Sequence, residues 1–258
     1  MTKLIKEANR IITLWRSHGP GTPRIDINVA LNEIVIPSSG GDTVSIVEAD
    51  FESFEGLMYR PSPQKRSWLI GVNRKITYTP RRNFTLAHEV GHFVGHRTLR
   101  ERFECGPEAL NDFDVEPLEA EANDFAAHLL MPPDLVRSYD DRRFCVESVT
   151  ELADEFGVSK LAAAYRWINL SRRHIGFCQS RDGYVINGRA SKSAFSKGLF
   201  FRGQDELPPQ SRTALAIEDL SNPELVSEGV WCRFYPAYES AYATGEGDYI
   251  YTFVDLLG

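Results

Sequence analysis

Thr85-Leu86-Ala87-His88-Glu89-Val90-Gly91-His92-Phe93-Val94-Gly95-His96 is the stretch whose reading decides the fold. His88, Glu89 and His92 stand in the pattern H-E-x-x-H. In a helix, side chains four residues apart share a face one turn apart. The two imidazoles can then reach one cation while Glu89 stands beside them to handle a proton. Zn²⁺ suits this chemistry: a catalytic zinc takes three protein ligands, keeps a fourth position for water and lowers the pKa of that water to roughly 7. Thr79-Pro80 reads as an N-cap followed by proline at the first helical position. Phe84, Leu86, Ala87, Val90, Phe93 and Val94 supply the apolar surface of a helix set in a core. The plainer alternative is a pair of partly buried histidines on an ordinary amphipathic helix.

A third ligand must come from later in the chain. Residues 101–124 carry nine acidic residues against one Arg, read mainly as a solvated loop. Leu118 to Met131 then reads as a helix stopped by Pro132-Pro133. Glu119, Ala122, Asn123 and Ala126 share one face of it, and Glu121, Phe125 and His128 share another. The small alanines beside Glu119 allow close approach to the metal helix, which favours Glu119 as ligand and leaves Glu121 as the fallback. Asn123, one turn on, can accept a hydrogen bond from a ligating imidazole. The longer metzincin pattern fails, because its final histidine position is Thr98. His96 lies about 12 Å along the axis from His88, so it is read as ending the helix or bonding locally. His18, His128 and His174 have no spacing argument and are read as structural. Tyr78 is a candidate second donor to a developing oxyanion.

Ahead of the motif, Leu4, Ile5, Ala8, Ile11, Ile12 and Trp15 predict a docking helix over residues 2–18, ended by Gly19-Pro20-Gly21. Thr43–Glu48, Phe54–Arg60 and Ser67–Asn73 predict three strands. Ser67–Asn73 is the candidate to pair with an extended substrate backbone, an interior strand being the alternative. After it, Ser148 to Leu170 predicts two short helices around a turn at Gly157, with Ser159 as a cap, in helix-turn-helix style. Lys160, Arg166, Arg172 and Arg173 make this segment locally basic, so they are the candidate nucleic-acid contacts. Ala162, Ala163 and Ala164 at the positions read as exposed offer no hydrogen bonds to base edges, so packing against the peptidase body is favoured over DNA binding. Strands are predicted over His174–Ser180, Tyr184–Asn187, Val230–Tyr235 and Tyr249–Val254, with a hairpin turn at Arg181-Asp182-Gly183 and a short helix over Ser211–Leu220.

The predicted class is α+β. A zincin-like metallopeptidase domain spans 1–140, a helix-turn-helix segment 141–175 and a β-rich module 176–258. The chain has 258 residues, 42% hydrophobic and 25% charged, enough for a sizeable core. No apolar run approaches the ~20 residues that span a bilayer, and no signal-peptide core opens the chain, so no membrane role is expected. Cys105, Cys145, Cys178 and Cys232 lie far apart without a C-x-x-C pair, which argues against a disulfide framework and points to a reduced, cytoplasmic setting. A net charge of -7 confines any nucleic-acid role to a local patch.

Arg82 to His92 together with Glu119 to Pro132 closely resemble the ImmA/IrrE family of bacterial and phage metallopeptidases, and Phe54-Glu55-Gly56 and Leu152 to Leu170 resemble it too. The resemblance covers about residues 45–175. It implies a gluzincin-type zinc fold with one Zn²⁺, or Mn²⁺ in its place, held by His88, His92 and Glu119, and with Glu89 as general base. It also implies limited cleavage of a partner helix-turn-helix repressor, relieving repression of mobile-element or DNA-damage genes; members also occur in toxin–antitoxin-like pairs. The C-terminal module does not match the sensor domain of the radiation-response members. The competing reading is a DNA-binding regulator with a structural or sensory metal.

Overall fold

The computed structural model describes residues 2–107, 116–217, 219–245 and 248–257. The chain divides into two compact units, residues 1–132 with 155–159 and residues 133–154 with 160–258.

In the first unit, α1 (Lys3–His18) starts where Thr2 accepts the Ile5 N–H, and it buries Leu4, Ala8, Ile11, Ile12 and Trp15. A single turn, α2 (Ile27–Ala30), runs into a π-helical turn over Leu31–Val35, in a stretch with no clear periodicity of its own. Four strands follow: β1 (Thr43–Ala49), β2 (Gly56–Tyr59), β3 (Ser67–Asn73) and, after the helix α3 (Thr79–Gly95), β4 (Arg102–Cys105). Their order in the sheet is β1-β3-β2-β4, with β1 parallel to β3 and the other pairs antiparallel. Ser67–Asn73 is therefore an interior strand and has no free edge for a substrate. Its near-continuous burial, Trp68, Ile70 and Val72 included, fits that position. The edges are β1 and β4, the latter a strand hidden in the acidic segment taken for a loop.

The helix α3 begins one residue off the predicted cap, with Tyr78 at the N-cap. Helix α4 (Pro117–Leu130) packs against it, and the approach is close because Gly91 has no side chain. A Cβ there would lie 3.0 Å from the Phe125 ring and 3.4 Å from Ala122 Cα. The acidic positions between 108 and 115 lie outside the described residues.

The second unit contains α5 (Pro133–Arg137), α6 (Val146–Phe156, whose last two residues group with the first unit), α7 (Lys160–Leu170) and α8 (Lys192–Ser196). Its antiparallel sheet has the order β6-β5-β9-β8-β7, from β5 (Ile175–Arg181), β6 (Tyr184–Ala190), β7 (Glu224–Val226), β8 (Ala237–Ala243) and β9 (Ile250–Leu256). Gly157 turns with φ +64° between α6 and α7. The Arg181-Asp182-Gly183 hairpin also forms, with positive φ at Asp182 and Gly183.

The helix pair belongs to the same unit as these strands instead of standing apart as 141–175. Trp167 is fully buried, its indole N–H donates to Asp140, and Phe144 lies edge-on to both Trp167 and Phe253. Arg173 pairs with Asp255 at 2.7 Å, and Asp255 also accepts the Phe144 N–H. Val230–Tyr235 is a turn with an isolated bridge between Cys232 and Tyr235, not a strand. The described part of 211–220 forms turns, not a helix. The strand in this region is β8, whose Glu239 is buried and accepts from the Arg212 and Thr213 backbone N–H groups and from the Trp231 indole. A fully satisfied buried carboxylate of this kind pins the irregular 211–232 segment to the sheet.

Candidate metal centre

Helical spacing puts His88 and His92 one turn apart, with ring centroids 4.7 Å apart and their Nε2 atoms 3.0 Å apart. Helix α4 delivers Glu119 to the same point: its carboxylate oxygens lie 3.1 Å from His88 Nε2 and 3.3 Å from His92 Nε2. Both rings are fully buried and the Glu119 side chain is 12% exposed. Burial works against ionisation of Glu119, but its hydrogen bonds to His88 and His92 hold it well below the usual carboxylate range. Burial lowers His92 to about 4, so its ring is neutral, as a metal donor must be. Tetrahedral Zn–N bonds of about 2.05 Å set neighbouring donors about 3.3 Å apart. The observed separations fit one such cation.

Each ring is oriented from behind. His88 Nδ1–H donates to Asn123 Oδ1 at 2.8 Å, leaving Nε2 with its lone pair toward the cluster. On the His92 side, Glu121 Oε2 lies 3.3 Å from His96 Nε2, and His96 Nδ1 lies 3.0 Å from His92 Nδ1. Glu121 accepting from His96 makes His96 Nδ1 the acceptor for His92, whose Nε2 is then free for the cluster. Glu121, the fallback ligand, thus stands behind His96 and outside the group of donors. His96 caps the helix, as expected of it, but does so buried in this relay. Asn123→Ala is expected to weaken metal binding roughly 10–100-fold with the fold intact, as isothermal titration with zinc would show; unchanged affinity would remove Asn123 from this role.

Glu89 is wholly buried, and neither carboxylate oxygen makes a hydrogen bond among the described residues. Burial pushes its carboxyl up to about 8, with the Cys105 thiol opposing the shift and Glu119 adding to it. A Cβ placed on Gly56 would fall 2.1 Å from Glu89 Oε1, so the start of β2 lies directly against this carboxylate. Gly56 pairs with Cys105 across the β2–β4 ladder. Cys105 Sγ then lies 3.6 Å from His92 Nε2, and Phe103, two residues earlier on the same face, stacks on His92 with centroids 4.2 Å apart. Donor atoms of His88, His92, Cys105 and Glu119 all lie within 4.8 Å of one another. Cys105 and Phe103 went unread in the sequence, where the only signal was the alternation of Arg102-Phe103-Glu104-Cys105.

Residues 43–167 match the family model of the IrrE N-terminal-like domain, Peptidase M78. No curated protein matches the chain. The M78 match contains every residue of the cluster and both of the stretches, 82–92 and 119–132, that carry the resemblance.

The remaining predicted site residues are not brought to the M78 cluster. Tyr78 is 57% exposed at the start of α3, about 15 Å along the axis from His88. There it lines a groove with Phe51, Phe54, Glu55, Lys75 and Pro107. Ala163 and Ala164, read as exposed, are buried because that face of α7 packs into its unit. Lys160 lies 4.7 Å from the Tyr242 ring centroid, and Arg173 is held by Asp255 and by the Asp140 and Arg142 carbonyls. Arg166 is half-buried and Arg172 exposed. His128 bonds Asn9 at 2.8 Å, a packing role as expected. No helix among the described residues is long and apolar enough to cross a membrane.

Proposed function

We propose that this protein is a zinc-dependent endopeptidase that makes a limited cut in a partner protein, a helix-turn-helix transcriptional repressor, and so relieves repression in the cytoplasm. The observation that carries the reading is a wholly buried carboxylate, Glu89, set beside three donors whose spacing fits one zinc ion. His88, His92 and Glu119 hold the ion, and Mn²⁺ is a possible replacement for it. Zinc, when bound, supplies a Lewis acid that polarises the scissile carbonyl. Glu89 takes the proton from the attacking water and passes it to the leaving amine.

An extended substrate adds to the sheet along β4, the edge strand whose inner face reaches the donors. The groove formed by Phe51, Phe54, Tyr78 and Pro107 takes an apolar side chain of that substrate. The space at Gly56 keeps Glu89 in line. Gly56→Ala is expected to retain zinc and lower cleavage by roughly 10²-fold, the scale of a misplacement of about 1 Å; metal analysis and kcat/KM on one preparation check both halves. The DNA-binding alternative is the less favoured reading, since Ala163 and Ala164 on α7 are buried.

The decisive trial incubates the zinc-loaded chain with the repressor encoded beside it and reads the products by mass spectrometry. One defined cut that is absent with Glu89→Gln is expected. An intact repressor under conditions that saturate the site with zinc would overturn the assignment of substrate.

A further inference from the structure

We propose that Cys105 is a fourth protein ligand of the metal, so that the resting site is closed and cleavage begins only when the thiolate leaves. This rests on the metal-site reading above and adds its regulation. Zn–S of about 2.3 Å and Zn–N of about 2.05 Å at a tetrahedral angle put the two donors about 3.6 Å apart. Cys105 Sγ and His92 Nε2 are 3.6 Å apart, which matches that spacing, and all four donors lie within 4.8 Å of one another, so the thiol has only a short way to move to share one ion with the rest.

Its position is imposed by the backbone. Cys105 is paired with Gly56 in the sheet, its carbonyl accepts the Glu55 N–H at 2.9 Å, and strand alternation turns Phe103 and Cys105 to the same buried side. The other three cysteines lie in the second unit, outside any such donor group among the described residues.

Two features of the site conflict unless it has two states. Four protein donors are the mark of a structural zinc, whereas three and an open position mark a catalytic one. A structural site has no use for Glu89, a buried proton acceptor placed against it. One ligand exchange would reconcile them: water would replace the Cys105 thiolate, and the proton that this water gives up would go to the thiolate sulfur. Because β4 is an edge strand, a substrate strand added along it acts on the segment that carries the thiol.

The full chain loaded with Co²⁺ should show an intense near-ultraviolet thiolate-to-metal charge-transfer band. X-ray absorption of the Zn²⁺ form should show one sulfur neighbour at about 2.3 Å. Cys105→Ala should lose the band, keep one metal per chain and cut the repressor faster than the parent. The X-ray measurement needs no variant, so a misfolded Cys105→Ala leaves the proposal testable. A parent that binds metal with only nitrogen and oxygen neighbours would overturn the thiolate ligand and leave the His88–His92–Glu119 site standing. A closed site with Cys105→Ala no faster than the parent would overturn the gating. A chain that binds neither metal would overturn the metal site and this inference together.

Discussion

Glu89→Gln binds zinc as tightly as the parent and cleaves at least roughly 10²–10⁴-fold more slowly, the contribution of a positioned base. The change removes the proton acceptor and nothing else of size. The side chain is wholly buried, and it stands beside the donors of His88, His92 and Glu119 without being one of them. Single-turnover cleavage with metal stoichiometry on the same sample checks the result, and cleavage by the variant at the parental rate would refute the role. A second signature belongs to the metal-free chain. Burial raises the Glu89 carboxyl from 4.5 to about 8 in the fold, so the folded state holds its proton more tightly than the unfolded chain. The stability this contributes is present in full below the unfolded value and is lost as pH rises through about 8. Glu89→Gln, lacking that proton, should show a flatter decline across the same window in chemical denaturation.

Glu119→Ala, and equally His88→Ala, should severely weaken zinc binding and abolish cleavage. Each removes one of three donors whose mutual distances are 3.0–3.4 Å. Two of these donors are left, with the Cys105 thiol as the one further ligand proposed, fewer than the closed site uses. Calorimetry reads the difference independently of activity. A ligand at a thousand times its Kd stabilises a fold by about 4 kcal/mol, so a chelator should lower the Tm of the parent by several degrees. The Tm of Glu119→Ala should not respond to the chelator. A variant that still binds one zinc with parental affinity would show that Glu119 is not a ligand.

Much of this centre was legible in the sequence because helical geometry is local. Four-residue spacing joins His88 to His92. On α4 the same period separates Glu119, with Asn123 one turn behind it, from Glu121 on another face; no distant contact is needed to see either. The apolar spacing of residues 84–94 and the helix α1 were readable for the same reason. The burial of Ala163 and Ala164, and the grouping of α6 and α7 with the later strands, were not. They depend on Trp167, Phe144 and Phe253 meeting across long stretches of chain.

By itself, then, the sequence determined the helices α1, α3 and α4, the residues that α3 and α4 present on one face, and the family model that residues 43–167 match. The tertiary structure alone decided that Ser67–Asn73 lies inside the sheet, that Arg102–Cys105 forms one of its edges, and that a thiol and Gly56 meet at the Glu89 carboxylate. The physical reason is the difference between the two kinds of order. A helix satisfies its backbone within a few residues, so its faces follow from spacing. A strand of four residues has no such internal bonds, and its neighbours, register and buried side are set by whichever distant segment supplies its hydrogen bonds.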